Sequence, residues 1–192
     1  MTKGFAVAAV LTAGVSAQAA LTGSFSLVQS GAAAKDTSFN DFTIDIYQFT
    51  LTNDSSFDIS SIEASFSGDF VNGDAAGLVT KSGAGLPTFG PFLVAETFFT
   101  NDGQAPLFAT SADTSTLLSG SGSVTGATTW IDAGQTEVIA VFSVNAGSAS
   151  PVFNSGRAAV NGEFVDIVVP EPASLALLGL GGLAAFARRR KA

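Results

Sequence analysis

The chain has no histidine and no cysteine, and only one tryptophan and one tyrosine. Each absence closes a class of chemistry. Without histidine a Ser-His-Asp triad has no base, and imidazole-held zinc or iron is excluded. Without cysteine there is neither a thiol nucleophile nor a thiolate cluster, and disulfides cannot report the redox compartment. Basic residues are almost as scarce. Between residues 20 and 168 only Lys35, Lys81 and Arg157 stand against 15 acidic residues, a net charge of −12. A surface of that sign repels phosphate backbones, so nucleic acid is not an expected partner. The same stretch shows no apolar stripe at helical spacing, so a phosphate-cradling glycine loop has no helix to open.

What the chain does have is phenylalanine. Fifteen of its 17 lie between Phe25 and Phe164, enough aromatic bulk for the core of one domain without disulfides. The two ends read differently. Lys3, the apolar run Phe5–Val15 and the small residues Ala17 and Ala19 form the three parts of a signal peptide over residues 1–19. Cleavage by signal peptidase is expected after Ala19, leaving Ala20 at the mature N-terminus.

The other end reads VPEPASLALLGLGGLAAFARRRKA from Val169 to Ala192. Ala173–Ala187 carries no charge. As a helix it would reach roughly 22 Å, short of the ~30 Å bilayer core, so it could span only marginally. Arg188, Arg189, Arg190 and Lys191 follow and would act as a stop-transfer cluster, holding that end in the cytoplasm. Pro170 and Pro172 do not fit a helix interior and set an extended segment just before it.

This order of box, short hydrophobic helix and basic cluster resembles the PEP-CTERM sorting signal. The resemblance covers residues 169–192, with the box at Val169, Pro170, Glu171 and Pro172, the helix at 173–187 and the basic tail at 188–192. It implies processing by exosortase, a membrane-embedded cysteine protease or transpeptidase of Gram-negative bacteria, near that box. It also implies a precursor held transiently in the inner membrane, a final place at the cell surface or outside the cell, and an association with exopolysaccharide and biofilm matrix.

Residues 20–168 read as the secreted domain. From Ile62 to Phe70 the residues Ile62, Ala64, Phe66, Gly68 and Phe70 alternate with Ser61, Glu63, Ser65, Ser67 and Asp69, the period of a half-buried strand. Thr43–Thr52 is β-branched and aromatic, with an apolar phase that shifts between Ile46 and Phe49, which predicts a bulge or burial on both faces. Glu137–Val144 is nearly all apolar and predicts a central strand. A hairpin turn is expected at Asp132–Gln135 after a strand Val124–Ile131, and another at Asn161-Gly162 between Arg157–Val160 and Glu163–Val169. Weaker strands are predicted over Leu21–Gln29, Phe89–Phe99 and Gln104–Ala109, with Ser119–Gly126 as a flexible loop. The fold class expected is all-β, an antiparallel β-sandwich of immunoglobulin-like or jelly-roll-like kind.

Candidate sites in this body are few. Carboxylate-pair hydrolysis would have to draw on Glu63, Glu96, Glu137 or Glu163, yet each also suits the outward face of a strand or turn, and the chain is not expected to be an enzyme. Two clusters have oxygen ligands suited to calcium: Asn53, Asp54 and Asp58, and Asp69, Asn72 and Asp74. Asx residues beside glycine form ordinary turns, and that reading is preferred. No cofactor is expected. Trp130 and Tyr47 have the amphipathic rings a sugar would stack on and are the candidate ligand contacts, for a carbohydrate-binding module acting on exopolysaccharide.

Overall fold

The computed structural model describes residues 21–36, 38–73, 86, 88–89, 92–100, 107–124 and 129–170. Eleven strands run in chain order: β1 (Leu21–Lys35), β2 (Asp41–Asn53), β3 (Ile59–Ser67), β4 (Thr88–Phe89), β5 (Phe92–Leu93), β6 (Phe98–Phe99), β7 (Leu107–Asp113), β8 (Leu117–Ser123), β9 (Thr136–Asn145), β10 (Val152–Val160) and β11 (Glu163–Val168). Among the described residues there is no helix. Nine strands make one sheet in the order β6-β9-β2-β1-β11-β10-β3-β8-β7, and β4 and β5 pair separately. The sheet is nearly closed on itself.

The all-β class is as expected, but one pairing departs from the antiparallel sandwich. β11 enters the middle of the sheet beside β1 and runs in the same direction, with Leu21 opposite Ile167 and Thr22 opposite Val168. The sheet is therefore mixed. On its other side β11 forms a hairpin with β10, from Arg157 opposite Asp166 to Val160 opposite Glu163. The two-residue turn is Asn161-Gly162, with φ of 51° and 81°. Two consecutive positive φ values suit the right-handed twist of the flanking strands, which explains the Asn-Gly pair.

Period-two burial fills one face with phenylalanine. Phe49 on β2, Phe66 on β3 and Phe142 on β9 are fully buried. Phe49 and Phe66 meet edge to face with ring centroids 4.9 Å apart, Phe66 and Phe142 at 5.0 Å, and Phe153 of β10 stacks on Phe49 at 5.4 Å. Aliphatic residues from β1, β2, β3, β8, β9, β10 and β11 complete this main core. A second, smaller core lies where Ala32, Ala34, Ile44, Ile46, Val71, Ala95, Phe98 and Val141 meet.

The second core explains the phase shift in β2. Ile44 and Ile46 belong to it, whereas Phe49 and Leu51 belong to the main one, and the register against β9 slips between Phe49 and Thr50. Both expected causes, a bulge and burial on two faces, operate together. Opposite Ile46 the register of β1 also slips, between Leu27 and Gln29 and between Gln29 and Ala32. Gly31 takes φ of 66° there. The buried carboxylate of Asp45 holds the irregular stretch, accepting from Ser30 Oγ at 2.7 Å, Gly31 N at 2.8 Å and Gly147 N at 3.0 Å. β9, as expected, lies inside the sheet and supplies Phe142 to the main core and Val141 to the second.

Three local expectations need correction. Leu117–Ser123 is a strand, β8, rather than the start of a flexible loop, and it is laddered to β3 on one side and β7 on the other. Leu118 and Gly120 are buried, while Ser121 and Ser123 face out. The pattern is period two, concealed by residues of low strand propensity. Val124–Ile131 is not a strand in its described residues, because Ile131 makes only an isolated bridge to Ile59. The turn after it is present, closed by Gln135 N on Asp132 O at 3.1 Å, with Gly134 at φ 76°. Phe89–Phe99 is broken into β4, β5 and β6 rather than running as one strand.

Candidate sorting signal and an outward groove

The hairpin that makes β11 also delivers the C-terminal segment. Along it Val165, Ile167 and Val169 turn onto the main core, while Phe164, Asp166, Val168 and Pro170 face out. Pairing ends at Val168, yet Val169 keeps the alternation and remains half-buried. Pro170 is exposed and lies outside any strand. The box thus begins directly on a strand of the folded body, with no spacer. Glu171, Pro172, the helix expected at 173–187, and Arg188, Arg189, Arg190 and Lys191 lie outside the described residues, as do the leader and Ala17, Ala19 and Ala20.

Residues 168–191 match the PEP-CTERM protein-sorting motif. The chain carries a PEP-CTERM sorting signal. No curated protein and no solved structure matches it. The PEP-CTERM signal marks an exported protein sorted in an exosortase-dependent way, whose precursor is held at the membrane of a Gram-negative cell. Among the described residues no helix is long and apolar enough to cross a membrane.

A second feature is a groove of about 300 Å³ on the outward face of the half-sheet β11-β10-β3-β8-β7. Register builds it. Arg157 lies opposite both Glu63 and Asp166, and Glu63 lies opposite Ser121. One row along, Ser65 lies opposite both Ser155 and Ser119, and Ser119 Oγ meets Ser111 Oγ at 3.0 Å. All of these line the groove. Arg157 Nε donates to Glu63 Oε2 at 2.9 Å, and its guanidinium lies 4.6 Å from the centre of the Phe164 ring. The arginine is therefore fixed against a carboxylate and an aromatic face while it borders the groove. Five serine hydroxyls, each able to donate and to accept, cover the rest.

The sequence had marked Glu63 alone of these. Glu96 is buried near Ser143, whose Oγ donates to the Glu96 carbonyl at 2.8 Å, while Glu137 and Glu163 are exposed on β9 and β11. The four glutamates are not brought together. Of the missed residues, Ser65, Ser119 and Ser121 lie in period-two runs of β3 and β8, whereas Arg157 and Asp166 carry no sequence signal toward the groove.

Tyr47 and Trp130 are each half-buried and pack against the main core. Neither lines the groove. Asn53 is fully buried, its Nδ2 donating to Phe57 O at 2.9 Å, Asp132 O at 3.2 Å and Ile131 O at 3.3 Å, and its Oδ1 accepting from Ser55 Oγ at 2.6 Å. Asp54 is exposed, and Asp58 accepts from Ala133 N at 2.8 Å. Asp69 accepts from Ser148 Oγ at 3.0 Å. Asn72 donates to Asp113 Oδ1 at 2.7 Å and accepts from Thr97 N at 3.1 Å. Asp74 lies outside the described residues. Among the described residues no group of three or more acidic side chains could hold a metal ion.

Hydrogen bonding lowers two carboxyl pKa values. Asp45 is held below 3.8 chiefly by the Gly147 amide, then by Ser30 and the Gly31 amide. Asp36 is lowered chiefly by the Asn40 side chain. Asp45 pins the irregular stretch of β1 and the turn after β9, and Asp36 holds the turn between β1 and β2.

Proposed function

We propose that this is a non-enzymatic protein of the cell surface or extracellular matrix, released from a membrane-held precursor by exosortase after signal peptidase has removed residues 1–19. The observation that carries the reading is the sorting motif at residues 168–191. A catalytic role has little to build on, since histidine and cysteine are absent and Glu63 in the groove already accepts from Arg157 Nε. The domain serves as a folded module in the matrix, in association with exopolysaccharide. Expression of the full chain with and without the processing enzyme, followed by mass measurement of the mature protein, is the test. A product that always retains residues 173–192 refutes the reading.

A second reading, a carbohydrate-binding module for exopolysaccharide, is favoured by the groove rather than by Tyr47 and Trp130. Its serines and two carboxylates suit the hydroxyls of an uncharged sugar chain, since carboxylates accept strongly and Arg157 donates. The net charge of the domain disfavours a polyanion. Retention on a neutral polysaccharide column is expected, abolished by Ser119→Phe and weakened by Arg157→Ala. Equal retention of all three proteins, or none at all, removes this reading.

A further inference from the structure

We infer that Asp166 is the selecting residue of the outward groove, which takes an uncharged sugar chain whose units keep two adjacent ring hydroxyls free. The inference rests on the carbohydrate-binding reading above and narrows it from sugars in general to one pattern of hydroxyls.

The groove has two walls and a bare floor. The first wall crosses the strands as Asp166, Arg157, Glu63 and Ser121, each opposite the next. The second, two residues along, is made by Ser155, Ser65 and Ser119. Between them run Gly156, Ala64 and Gly120, which send no side chain outward. Ala64 and Gly120 are buried, and a Cβ on Gly156 would meet Phe153 Cζ at 2.8 Å, on the core side. From the spacing of strands and of residues along them, the longer wall is roughly 14 Å long and the walls stand roughly 7 Å apart. A sugar chain fits this trough lying across the strands. Among the described residues no aromatic ring lines it, so stacking does not choose the ligand and hydrogen bonds must.

The groups on the longer wall are unequally committed. Arg157 gives Nε to Glu63 Oε2 at 2.9 Å and lays its guanidinium against the Phe164 ring, 4.6 Å from the centroid. That fixes the arginine, occupies Glu63 and leaves the donors on both Nη atoms for a ligand. Asp166, on the other side of Arg157, makes no side-chain hydrogen bond or ion pair among the described residues. Its two oxygens accept side by side, and the matching ligand offers two donors side by side. On a pyranose ring those are gauche hydroxyls on adjacent carbons. Their oxygens accept in turn from Arg157 and from the serines of the facing wall. Serine hydroxyls rotate to donate or accept and so discriminate little, whereas a carboxylate only accepts. A linkage or an acetyl group at either hydroxyl of the pair removes a donor and leaves Asp166 half met.

The test measures affinity electrophoresis of the full-length chain, held in polyoxyethylene detergent micelles, through gels containing dextran or laminarin. Both are uncharged glucose polymers. Dextran units keep adjacent free hydroxyls, and laminarin, linked through the third ring carbon, leaves its chain units no such pair. Dextran should bind about tenfold or more tightly than laminarin. Asp166→Asn should lower dextran affinity to the laminarin level and leave the unfolding midpoint unchanged, because Asp166 is exposed and unbonded in the fold. Glu163→Gln removes the same charge from an exposed position of β11 outside the groove and should bind as wild type does. Equal binding of the two polymers, a preference for laminarin, or an Asp166→Asn variant that keeps the wild-type preference overturns the inference and leaves the carbohydrate-binding reading standing. Binding of neither polymer removes that reading and the inference with it.

Discussion

Replacing Gly23 with alanine should destabilise the protein, against the usual preference of a strand for alanine. In a strand interior the added methyl ordinarily helps by roughly 0.5–1 kcal/mol, because glycine has more freedom to lose. Here the new Cβ would lie 2.2 Å from Phe49 Cζ and 3.0–3.1 Å from both ε-carbons. The ring cannot swing aside. It is fully buried and wedged between Phe25 and Phe66, each 4.9 Å away, with Phe153 stacked at 5.4 Å. Overpacking of this kind costs about 1–3 kcal/mol, and in a protein of this size each kcal/mol lowers the melting midpoint by about 2–4 °C. Urea unfolding followed by fluorescence of the single tryptophan, Trp130, which packs against the same core, should show a lower midpoint with an unchanged slope. Phe49→Leu removes the obstructing carbons and should be costly alone through the space it leaves. Combined with Gly23→Ala it should cost less than the two changes separately, by about 0.5–3 kcal/mol. A neutral or stabilising Gly23→Ala, or strict additivity of the pair, refutes the packing argument.

Asn53→Ala should cost about 2–4 kcal/mol in the same assay, since it strips one buried side chain from three carbonyls and from Ser55 at once. Asp45→Asn should destabilise at neutral pH and lose its effect in acid. The folded pKa of Asp45 is lowered, so its stabilisation is complete above the ordinary value of 3.8 and drains as pH falls through the folded value. Unfolding midpoints of wild type and variant measured from pH 7 to pH 2 should converge at the acid end. In cells, Glu171→Ala should leave membrane insertion intact and accumulate uncleaved precursor, visible by fractionation and mass. Neutralising Arg188, Arg189 and Arg190 should weaken retention, because insertion depends on the apolar run and its flanking charge.

Strong local rules made part of this fold legible. Asn161-Gly162 announced its hairpin because few other dipeptides accept two positive φ values, and the alternation from Ile62 to Phe70 placed Phe66 on the core without any knowledge of its neighbours. The phase break between Ile46 and Phe49 even held a trace of the second core. β8 was concealed because Leu118, Gly120 and Gly122 mark an inward face with almost no side chain, and its stability comes from ladders on both edges. The parallel entry of β11 beside β1 had no sequence signal at all, since two residues of pairing depend on tertiary closure. The same limit governs the sites. The tail could be read because its parts are contiguous, whereas the groove is assembled from β3, β7, β8, β10 and β11, and its arginine is isolated in sequence.

The meeting of β1 and β11 has a consequence for the order in which the protein becomes whole. The half-sheet β6-β9-β2-β1 and the half-sheet β10-β3-β8-β7 are joined through a strand from the far end of the domain, which must close a loop spanning nearly all of it. Contacts that distant in the chain form slowly. A chain threading outward from its N-terminus exposes β1 first and β11 last, so the aromatic interior remains unsealed until translocation has nearly reached the sorting signal. The edge of β1 is then an open template for the whole of export, and a factor that shields extended, phenylalanine-rich chain should shorten that interval's risk of aggregation.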